Sequence, residues 1–341
     1  MTPPETPADG ASNADTLGSV GEGAVLERIF PRLPGAASAL IGPGDDAAVV
    51  AAPDGRFVVT TDLMVHGPDF RLAWSTPVEL GLKAAASNLA DVAAMGAVPT
   101  ALVVAIAAPS NTPVSTLELI ADGLREGCES LAPGCGVVGG DLSVSATLTI
   151  AVTAFGDLEG RDPVLRSGAR VGDTVAVSGA LGRSLRGLEL LFTRGVDAAG
   201  EPDAAATAEL RREHPALLTA HLAPTPPIAD GPLAAESGVT AMLDVSDGLA
   251  LDAARIARAS GVGIDLESAL LGDDPDAAIA GGEDHSLLAT FPDGAALPGG
   301  FRRIGTVVEA QAQHGPRVTV DGATPARSGW DPYAGWDGAA G

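Results

Sequence analysis

Acidic residues lie at the ends of short apolar runs at four places in the chain, and the first of these places is a tight turn. In residues 41–50, two glycines and a proline predict a turn and the apolar run after them predicts a strand. Adjacent side chains of an extended segment point to opposite faces, so one of Asp45 and Asp46 can face a site. Taken alone, this stretch is explained equally well by a turn with an Asx cap.

The same arrangement recurs, which favours a site over a set of unrelated turns. Apolar runs end in acidic residues at Asp62, at Asp141, and at the pair Asp244 and Asp247. Strand ends are where α/β folds place their ligand chemistry. Carboxylates gathered there suit a hard divalent cation that is held together with substrate phosphates.

One predicted helix carries a polar stripe. Residues 76–79 (Thr-Pro-Val-Glu) form a capping box with proline at the first helical position, which predicts a helix to Met95 with Gly96 as its cap. Its interior is rich in alanine, but Lys83, Ser87 and Asp91 recur at every fourth position, with Asn88 beside them. Such a stripe faces either solvent or a site. Considered by itself, the stripe favours solvent.

Alternating helical and strand patterns predict an α/β chain (α+β type) of about two domains. Residues 1–18 are rich in Pro, Ala, Asp and Thr and are expected to be a disordered tail. A segment rich in Gly, Arg, Asp and Pro, 156–172, predicts the junction, so the domains are expected at 19–157 and 158–341. Residues 197–213 are acidic and rich in alanine, which indicates a surface helix or an insertion. The predicted strands are 47–51, 56–61, 101–107, 137–138, 146–155, 174–178, 242–245, 263–266 and 286–291. The other predicted helices are 21–33, 114–131, 183–192 and 248–260.

Composition narrows the possible partners. The 341 residues carry a formal net charge of −24, which argues against nucleic acid and anionic membrane surfaces as partners. Hydrophobic residues make up 46% and aromatic residues only 3%, so the core must be built from aliphatic side chains. No apolar run reaches the ~18 residues of a membrane span. The start of the chain lacks the pattern of a signal peptide, and the two cysteines, Cys128 and Cys135, fit a reduced, cytoplasmic chain.

Several common chemistries are not indicated. Neither a Walker A motif nor a protein-kinase signature is present. The five histidines show no metal-binding spacing, so each is expected to be structural or to lie at the surface. These histidines are His66, His214, His221, His285 and His314.

The ordered set of motifs resembles the thiamine-monophosphate kinase family, within the aminoimidazole-ribonucleotide-synthetase-like superfamily. The matching segments cover roughly residues 20 to 340 and are 42–48, 60–62, 83–97, 139–141, 166–169, 244–249 and 281–284. Each segment is weak evidence alone, but their common order is specific. The resemblance implies a two-domain ATP-binding fold, an N-terminal domain that forms a homodimer, and ATP in the cleft with several Mg²⁺ ions.

The resemblance also implies roles for individual residues. The magnesium ligands would be Asp46, Thr60, Thr61, Asp62, Asp91, Asp141, Asp244 and Asp247. ATP would contact Gly140, Asp141, Arg166 and Ser246, and thiamine would contact Glu283. The family's substrate histidine is replaced here by Asp69, and the family's C-terminal aromatic residue could be either Trp330 or Trp336. In this context Asp91, and with it the polar stripe, is expected to face the metals.

The implied reaction is direct in-line transfer of the ATP γ-phosphate to thiamine monophosphate. A phosphate monoester is already ionised near neutral pH, so the acceptor needs no general base, and the main requirement is to bring two polyanions together. The alternatives are a binding paralogue without turnover and another ATP-dependent member of the superfamily. Neither the N-terminal nor the C-terminal reactive cysteine expected of two such members is present.

Overall fold

The computed structural model describes residues 15–41, 48–310, 317–327 and 329. Within these residues, two large sheets organise the chain, a four-stranded sheet in the first half and a six-stranded sheet in the second, and a two-stranded sheet precedes them in the sequence. The first half contains, in order, α1 (Leu17–Val20), α2 (Glu22–Ile29), a 3-10 turn (Phe30–Arg32), β1 (Ala39–Ile41), β2 (Val49–Val50), β3 (Val58–Val65), α3 (Pro77–Ala94), β4 (Val98–Ala108), α4 (Val114–Leu131), β5 (Gly136–Val144) and β6 (Thr149–Asp157).

The second half begins with β7 and ends, within the described residues, with β12. Its elements are β7 (Thr174–Ser178), α5 (Arg183–Arg194), α6 (Ala204–Glu213), α7 (Pro215–Leu222), α8 (Asp230–Glu236), β8 (Ala241–Val245), α9 (Leu249–Ser260), β9 (Gly263–Leu266), a 3-10 turn (Ser268–Leu270), α10 (Pro275–Ala280), β10 (Ser286–Phe291), β11 (Arg302–Val308) and β12 (Val318–Val320).

The four-stranded sheet has the order β3-β6-β4-β5, with β4 and β5 parallel and the other pairs antiparallel. Helices α3 and α4 contribute buried side chains to the same core as β4 and β6, among them Leu89, Leu117, Leu102 and Ile150. The two helices approach closely because glycines face each other. A Cβ on Gly81 would lie 2.2 Å from the backbone oxygen of Ile120.

The six-stranded sheet has the order β12-β9-β11-β7-β10-β8, in which only β9 and β12 are parallel. Strands β8 and β10 are antiparallel neighbours, and Val245 at the end of β8 pairs with Ser286 at the start of β10. The loop after β8 and the loop before β10 therefore lie at the same edge of the sheet. These loops carry two of the acidic motifs, residues 244–248 and 281–284.

Helix α3 also packs against the second half of the chain. A Cβ on Gly231 would lie 2.1 Å from the backbone oxygen of Ala93, and the backbone nitrogen of Val164 donates a hydrogen bond to the backbone oxygen of Met95 at 3.0 Å. Arg211 on α6 binds the carboxylate of Glu79 and the carbonyl of Trp74. The alanine-rich helix thus lies where both halves of the chain meet.

Most predicted elements are present, and the differences have local causes. Helix α4 and strands β7, β9 and β10 have the predicted bounds, whereas β5 continues past Val138 to Val144 because it pairs with β4 along its length. The end of the predicted N-terminal tail is instead helical, since Thr16 caps α1 and Leu17 is buried. The segment 197–213 contains α6, whose Leu210 is buried. None of the helices in the described ranges has the length and apolar character of a membrane span.

Candidate active site

Strand β3 and helix α3 place one threonine and two aspartates together. Along β3 the even-numbered side chains are more buried than the odd-numbered ones, which gives Thr60 and Asp62 the same face. The hydroxyl of Thr60 donates to Asp91 on α3 at 2.7 Å, and the backbone nitrogen of Asp62 donates to the side-chain oxygen of Asn88 at 3.1 Å. This face of β3 and the polar stripe of α3 therefore form one wall of a site.

Thr61 points to the other side of the sheet. Its hydroxyl donates to the backbone oxygen of Val152 at 3.0 Å and accepts from Thr153 at 3.1 Å. Because successive residues of a strand alternate in direction, the Thr61 side chain does not lie with those of Thr60 and Asp62, and the expected role of Thr61 as a magnesium ligand stays a prediction.

The polar stripe of α3 is buried, so its interpretation as a solvent face is wrong. Lys83 is 6% exposed and Asn88 only 1%. Buried polar groups need partners, and here the partners come from both halves of the chain. Asn88 meets β3, and the ammonium of Lys83 lies 2.7 Å from the carboxylate of Glu283.

Carboxylates from β3, α3 and β8 lie close together, and their proximity raises the pKa of Asp91 and of Asp62. Burial, then Asp244 and Asp62, raises the pKa of Asp91 from 3.8 to about 7. Burial also raises the pKa of Asp62, with a contribution from Asp244 that His285 opposes. The ionised cluster carries a concentration of negative charge that a cation would relieve.

His285 neutralises part of this charge. Its Nδ1 lies 3.1 Å from a carboxylate oxygen of Asp244, and the residue is 4% exposed. Burial alone would lower its pKa, but the Asp244 hydrogen bond and the Glu283 carboxylate raise it to about 9. Its backbone is left-handed, with φ +52°, as is that of Glu283 with φ +63°.

The loop after β8 is organised by Asp252. One carboxylate oxygen of Asp252 accepts hydrogen bonds from the backbone nitrogens of Ser246, Asp247 and Gly248 at 3.0 to 3.1 Å. Arg255 binds both Asp252 and Asp247. Burial raises the pKa of Asp252 to about 6 although Arg255 opposes the shift.

The loop before β10 packs directly on that loop. The backbone nitrogen of Glu283 donates to the backbone oxygen of Ser246 at 2.9 Å. A Cβ on Gly282 would lie 2.1 Å from the same oxygen, so this close approach requires glycine. The two acidic motifs of the second half are therefore a single structural unit.

Asp69 lies near the Lys83–Glu283 pair. It accepts a hydrogen bond from the backbone nitrogen of Val65 at 2.7 Å. Burial raises the pKa of Asp69, and the Val65 hydrogen bond opposes this shift. The Glu283 charge also raises this pKa, whereas the Lys83 charge lowers it. Asp69, Lys83 and His221 line one cleft together with aromatic side chains of Phe70, Trp74 and Phe192.

Among the described residues, Asp141, Gly140 and Arg166 make their contacts elsewhere. Asp141 is exposed on β5 and accepts a hydrogen bond from Ser143 at 2.7 Å. A Cβ on Gly140 would lie 1.8 Å from the backbone oxygen of Val104, so glycine is required there. Arg166 is exposed, and its backbone oxygen accepts from Ser260 at 3.3 Å. Asp46, Trp330 and Trp336 lie outside the described residues.

Sequence reasoning missed the supporting residues of the site. The sequence predicts a structural or surface position for His285, and it does not indicate Asp252, Trp74 or Phe192. A signal was available for Asp252, an acidic residue in the first turn of a helix that begins with a glycine-containing loop. No sequence signal identifies Trp74 and Phe192 as neighbours, because their rings, 5.0 Å apart, come from different halves of the chain.

The donor set fits Mg²⁺ in its chemistry. Within the ranges that the structure describes, no three His, Cys, Asp or Glu side chains are arranged as a ready metal centre. Mg²⁺ commonly uses one or two carboxylates, waters and substrate phosphates instead of a complete protein cage. The hard oxygens of Thr60, Asp62, Asp91 and Asp244, with their mutual repulsion, match that mode of binding.

Comparison with known proteins gives first the class and then the family. Residues 44–158 match the family model described as AIR synthase related protein, N-terminal domain. The chain is 45% identical to thiamine-monophosphate kinase of Mycobacterium tuberculosis, over 96% of this chain and 94% of that protein. It is 41% identical to the Corynebacterium glutamicum protein of the same name, over 94% and 96%. The chain belongs to the thiamine-monophosphate kinase family.

Solved structures of this family share the fold. Thiamine-monophosphate kinase from Stenotrophomonas maltophilia superposes with a TM-score of 0.73 at 30% identity, covering 88% of this chain and 96% of that one. The complex of AaThiL with AMPPCP and TMP superposes with a TM-score of 0.68 at 34% identity, covering 84% and 90%. The two-domain ATP-binding fold expected from the sequence is confirmed.

Proposed function

We propose that this chain is a kinase that transfers the γ-phosphoryl group of ATP to thiamine monophosphate, giving thiamine diphosphate and ADP. The observation that carries the proposal is the crowding of three carboxylates contributed by both halves of the chain. Asp62, Asp91 and Asp244 are close enough that burial and mutual repulsion raise the pKa of Asp91 to about 7. Membership of the family, and a relative bound to AMPPCP and TMP, support the same reaction.

Mg²⁺ would be held by Asp62, Asp91 and Asp244 with Thr60, and Asp46, Asp141 and Asp247 are assigned to the same set. When bound, the ions supply neutralisation of phosphate charge and alignment of the donor with the acceptor. The protein's own contribution is to hold the carboxylates in place. Asn88 fixes the backbone of Asp62, and His285 fixes the carboxylate of Asp244.

The acceptor needs no catalytic base, because a phosphate monoester is already ionised near neutral pH. The protein must instead overcome the repulsion between two polyanions. We assign ATP to Gly140, Asp141, Arg166 and Ser246. Thiamine is assigned to Glu283, Asp69 and one of Trp330 and Trp336. Glu283 suits the cationic thiazolium ring, since burial of its carboxyl is outweighed by Lys83 and His285, which lower its pKa to about 2.

We also infer a homodimer formed through the four-stranded sheet. On β3 the residues that point away from α3 include Val59 and Leu63, which are 54% and 58% exposed. Apolar side chains repeated along one face of a sheet favour burial against a partner. A second copy of the chain would cover this face.

Steady-state ADP release with ATP and thiamine monophosphate, with and without Mg²⁺, tests the reaction. We expect turnover only when all three are present, with thiamine diphosphate as the second product. Thiamine without its phosphate serves as the control acceptor. If thiamine monophosphate binds but no ADP is released, the chain is the non-catalytic paralogue and the proposal is rejected.

A further inference from the structure

Lys83 is the only lysine in the chain. The chain contains 20 Lys and Arg residues, and the other 19 are arginines. Most of the described arginines that form ion pairs lie at the surface or are partly exposed, whereas Lys83 is 6% exposed in the interior of α3. Burying an ammonium is costly unless it has a charged partner. Its position therefore needs a local reason.

The partner of Lys83 is Glu283, at 2.7 Å. The backbone of Glu283 is already held, since its nitrogen binds the Ser246 oxygen and Gly282 allows the close approach of the two loops. Among the contacts described for the Glu283 side chain, the only ion pair is the one with Lys83. The loop thus fixes the backbone position of Glu283, and the ion pair with Lys83 fixes the position of its carboxylate.

The same ammonium faces a cleft with aromatic and acidic walls. Lys83, Asp69 and His221 line the cleft with the rings of Trp74 and Phe192. Burial, followed by the Lys83 charge, lowers the pKa of His221 to about 3, so its ring is neutral. Apart from Arg71, which stacks on the two aromatic rings, Lys83 is the cation of the cleft.

The cleft has the chemistry to receive a flat cationic heterocycle. The Asp69 and Glu283 carboxylates attract the positive charge of such a ring, whereas Arg71 already stacks on the Trp74 and Phe192 rings. Without Lys83 the two carboxylates would repel each other, and Glu283 would lose its fixed rotamer. Lys83, with a single positive charge, can therefore orient the Glu283 carboxylate and still leave one net negative charge among Lys83, Asp69 and Glu283.

Resting on the proposed function, we propose that Lys83 is a positioning residue for the acceptor substrate. Its ammonium lines the cleft together with Asp69 and holds the Glu283 carboxylate 2.7 Å away, so that a carboxylate oxygen is presented to the thiamine rings. Arginine would not serve, because its planar fork binds a carboxylate at two points and occupies more space than the compact ammonium. This explains why a chain that otherwise uses arginine has lysine here.

A double-mutant cycle with Lys83→Met and Glu283→Gln tests the coupling. We expect each single variant to raise the KM for thiamine monophosphate roughly 10- to 100-fold, the usual effect of losing a supporting partner, with the KM for ATP changed less than about twofold. The double variant should resemble the worse single variant. Lys83→Arg should recover only part of the loss. Arg194→Met, which breaks the surface pair with Glu213, is the matched control and should leave both constants unchanged.

Additive effects of the two substitutions, or an equal rise in the KM for ATP, would overturn the proposal. Additivity would instead indicate that Lys83 binds the substrate phosphate directly. Failure of the proposed function is distinguished from failure of the Lys83 proposal by the unmodified protein. If the proposed function is wrong, that protein releases no ADP with thiamine monophosphate. Thermal melting of each variant identifies any that do not fold.

A second measurement needs no substitution at Lys83. Biosynthetic ¹³Cε-lysine labelling gives one side-chain NMR signal, because the chain has one lysine. We expect this signal to move in Glu283→Gln and to move on addition of thiamine monophosphate without ATP. If the signal is the same in the parent and in Glu283→Gln, the ion pair is not formed in solution and the proposal fails.

Discussion

Replacing Asp91 with asparagine should stabilise the metal-free protein. Asparagine keeps an oxygen that can accept the Thr60 hydrogen bond, which is 2.7 Å long in the parent. It removes one of three carboxylates whose repulsion, together with burial, raises the pKa of Asp91 to about 7. The substitution therefore removes an unfavourable charge and leaves the local packing intact.

The size of the effect follows from the pKa shift. The pKa rises from 3.8 to about 7, and each unit corresponds to about 1.4 kcal/mol, so ionised Asp91 costs about 4 kcal/mol as an upper value. The pKa of Asp91 is higher in the folded state than in the unfolded state. The contribution of protonated Asp91 to the free energy of unfolding is therefore fully present below about pH 4 and is lost as the pH rises through about 7. The gain from asparagine should be about 2–3 kcal/mol larger at pH 8 than at pH 5.

Thermal melting in chelator-treated buffer at pH 5 and pH 8 measures this difference. At about 2 °C per kcal/mol for a chain of this size, the Asp91→Asn variant should gain about 4–6 °C more at pH 8 than at pH 5. The exposed Asp293 provides a control variant, Asp293→Asn, for which no such pH dependence is expected. A melting temperature that falls at pH 8, or a gain equal at the two pH values, would refute the argument. Turnover with Mg²⁺ should fall by orders of magnitude in the same variant.

Three further predictions concern the substrate side, the loop after β8 and the sheet face. Asp69→His should fold normally and change the KM for thiamine monophosphate more than that for ATP; an unchanged acceptor KM would show that residue 69 does not reach the substrate. Asp252→Ala removes the acceptor of three backbone hydrogen bonds, so it should lower the free energy of unfolding by roughly 2–4 kcal/mol and raise the KM for ATP. A loss below about 0.5 kcal/mol in denaturant unfolding would contradict that role. Leu63→Glu on the exposed face of β3 should convert a dimer into monomers in light scattering, and a parent that is already monomeric at all concentrations would exclude the dimer.

Local sequence was sufficient wherever neighbours along the chain decide the structure. The capping box at Thr76 predicts the start of α3, and the structure shows both of its hydrogen bonds. Continuous apolar runs predict β7 and β10 within their observed bounds because those strands are buried. The ordered motifs also identified the family, since each motif preserves a short backbone shape around its glycines and acidic residues.

The tertiary structure decided what the polar residues of α3 do. Periodicity places Lys83, Asn88 and Asp91 on one stripe but does not show what covers it, and solvent was the simpler expectation. The stripe is buried because β3 lies against Asn88 and Asp91, and the loop before β10 brings Glu283 to Lys83. That loop follows Lys83 by 200 residues in the sequence, so no local pattern predicts the contact.

The opposite directions of Thr60 and Thr61, and the pairing of His285 with Asp244, were also settled only by the fold. Two adjacent threonines are equivalent in a motif, but a strand can give only one of them to the face that meets α3. His285 has no metal-binding spacing, yet pairing of β8 with β10 brings its ring to a carboxylate 41 residues earlier in the chain. The sequence by itself determined the family and predicted which chemical groups the site uses, because the motifs consist of residue types in a fixed order. The fold determined which of them meet, because distances between distant segments depend on how the sheets and helices pack.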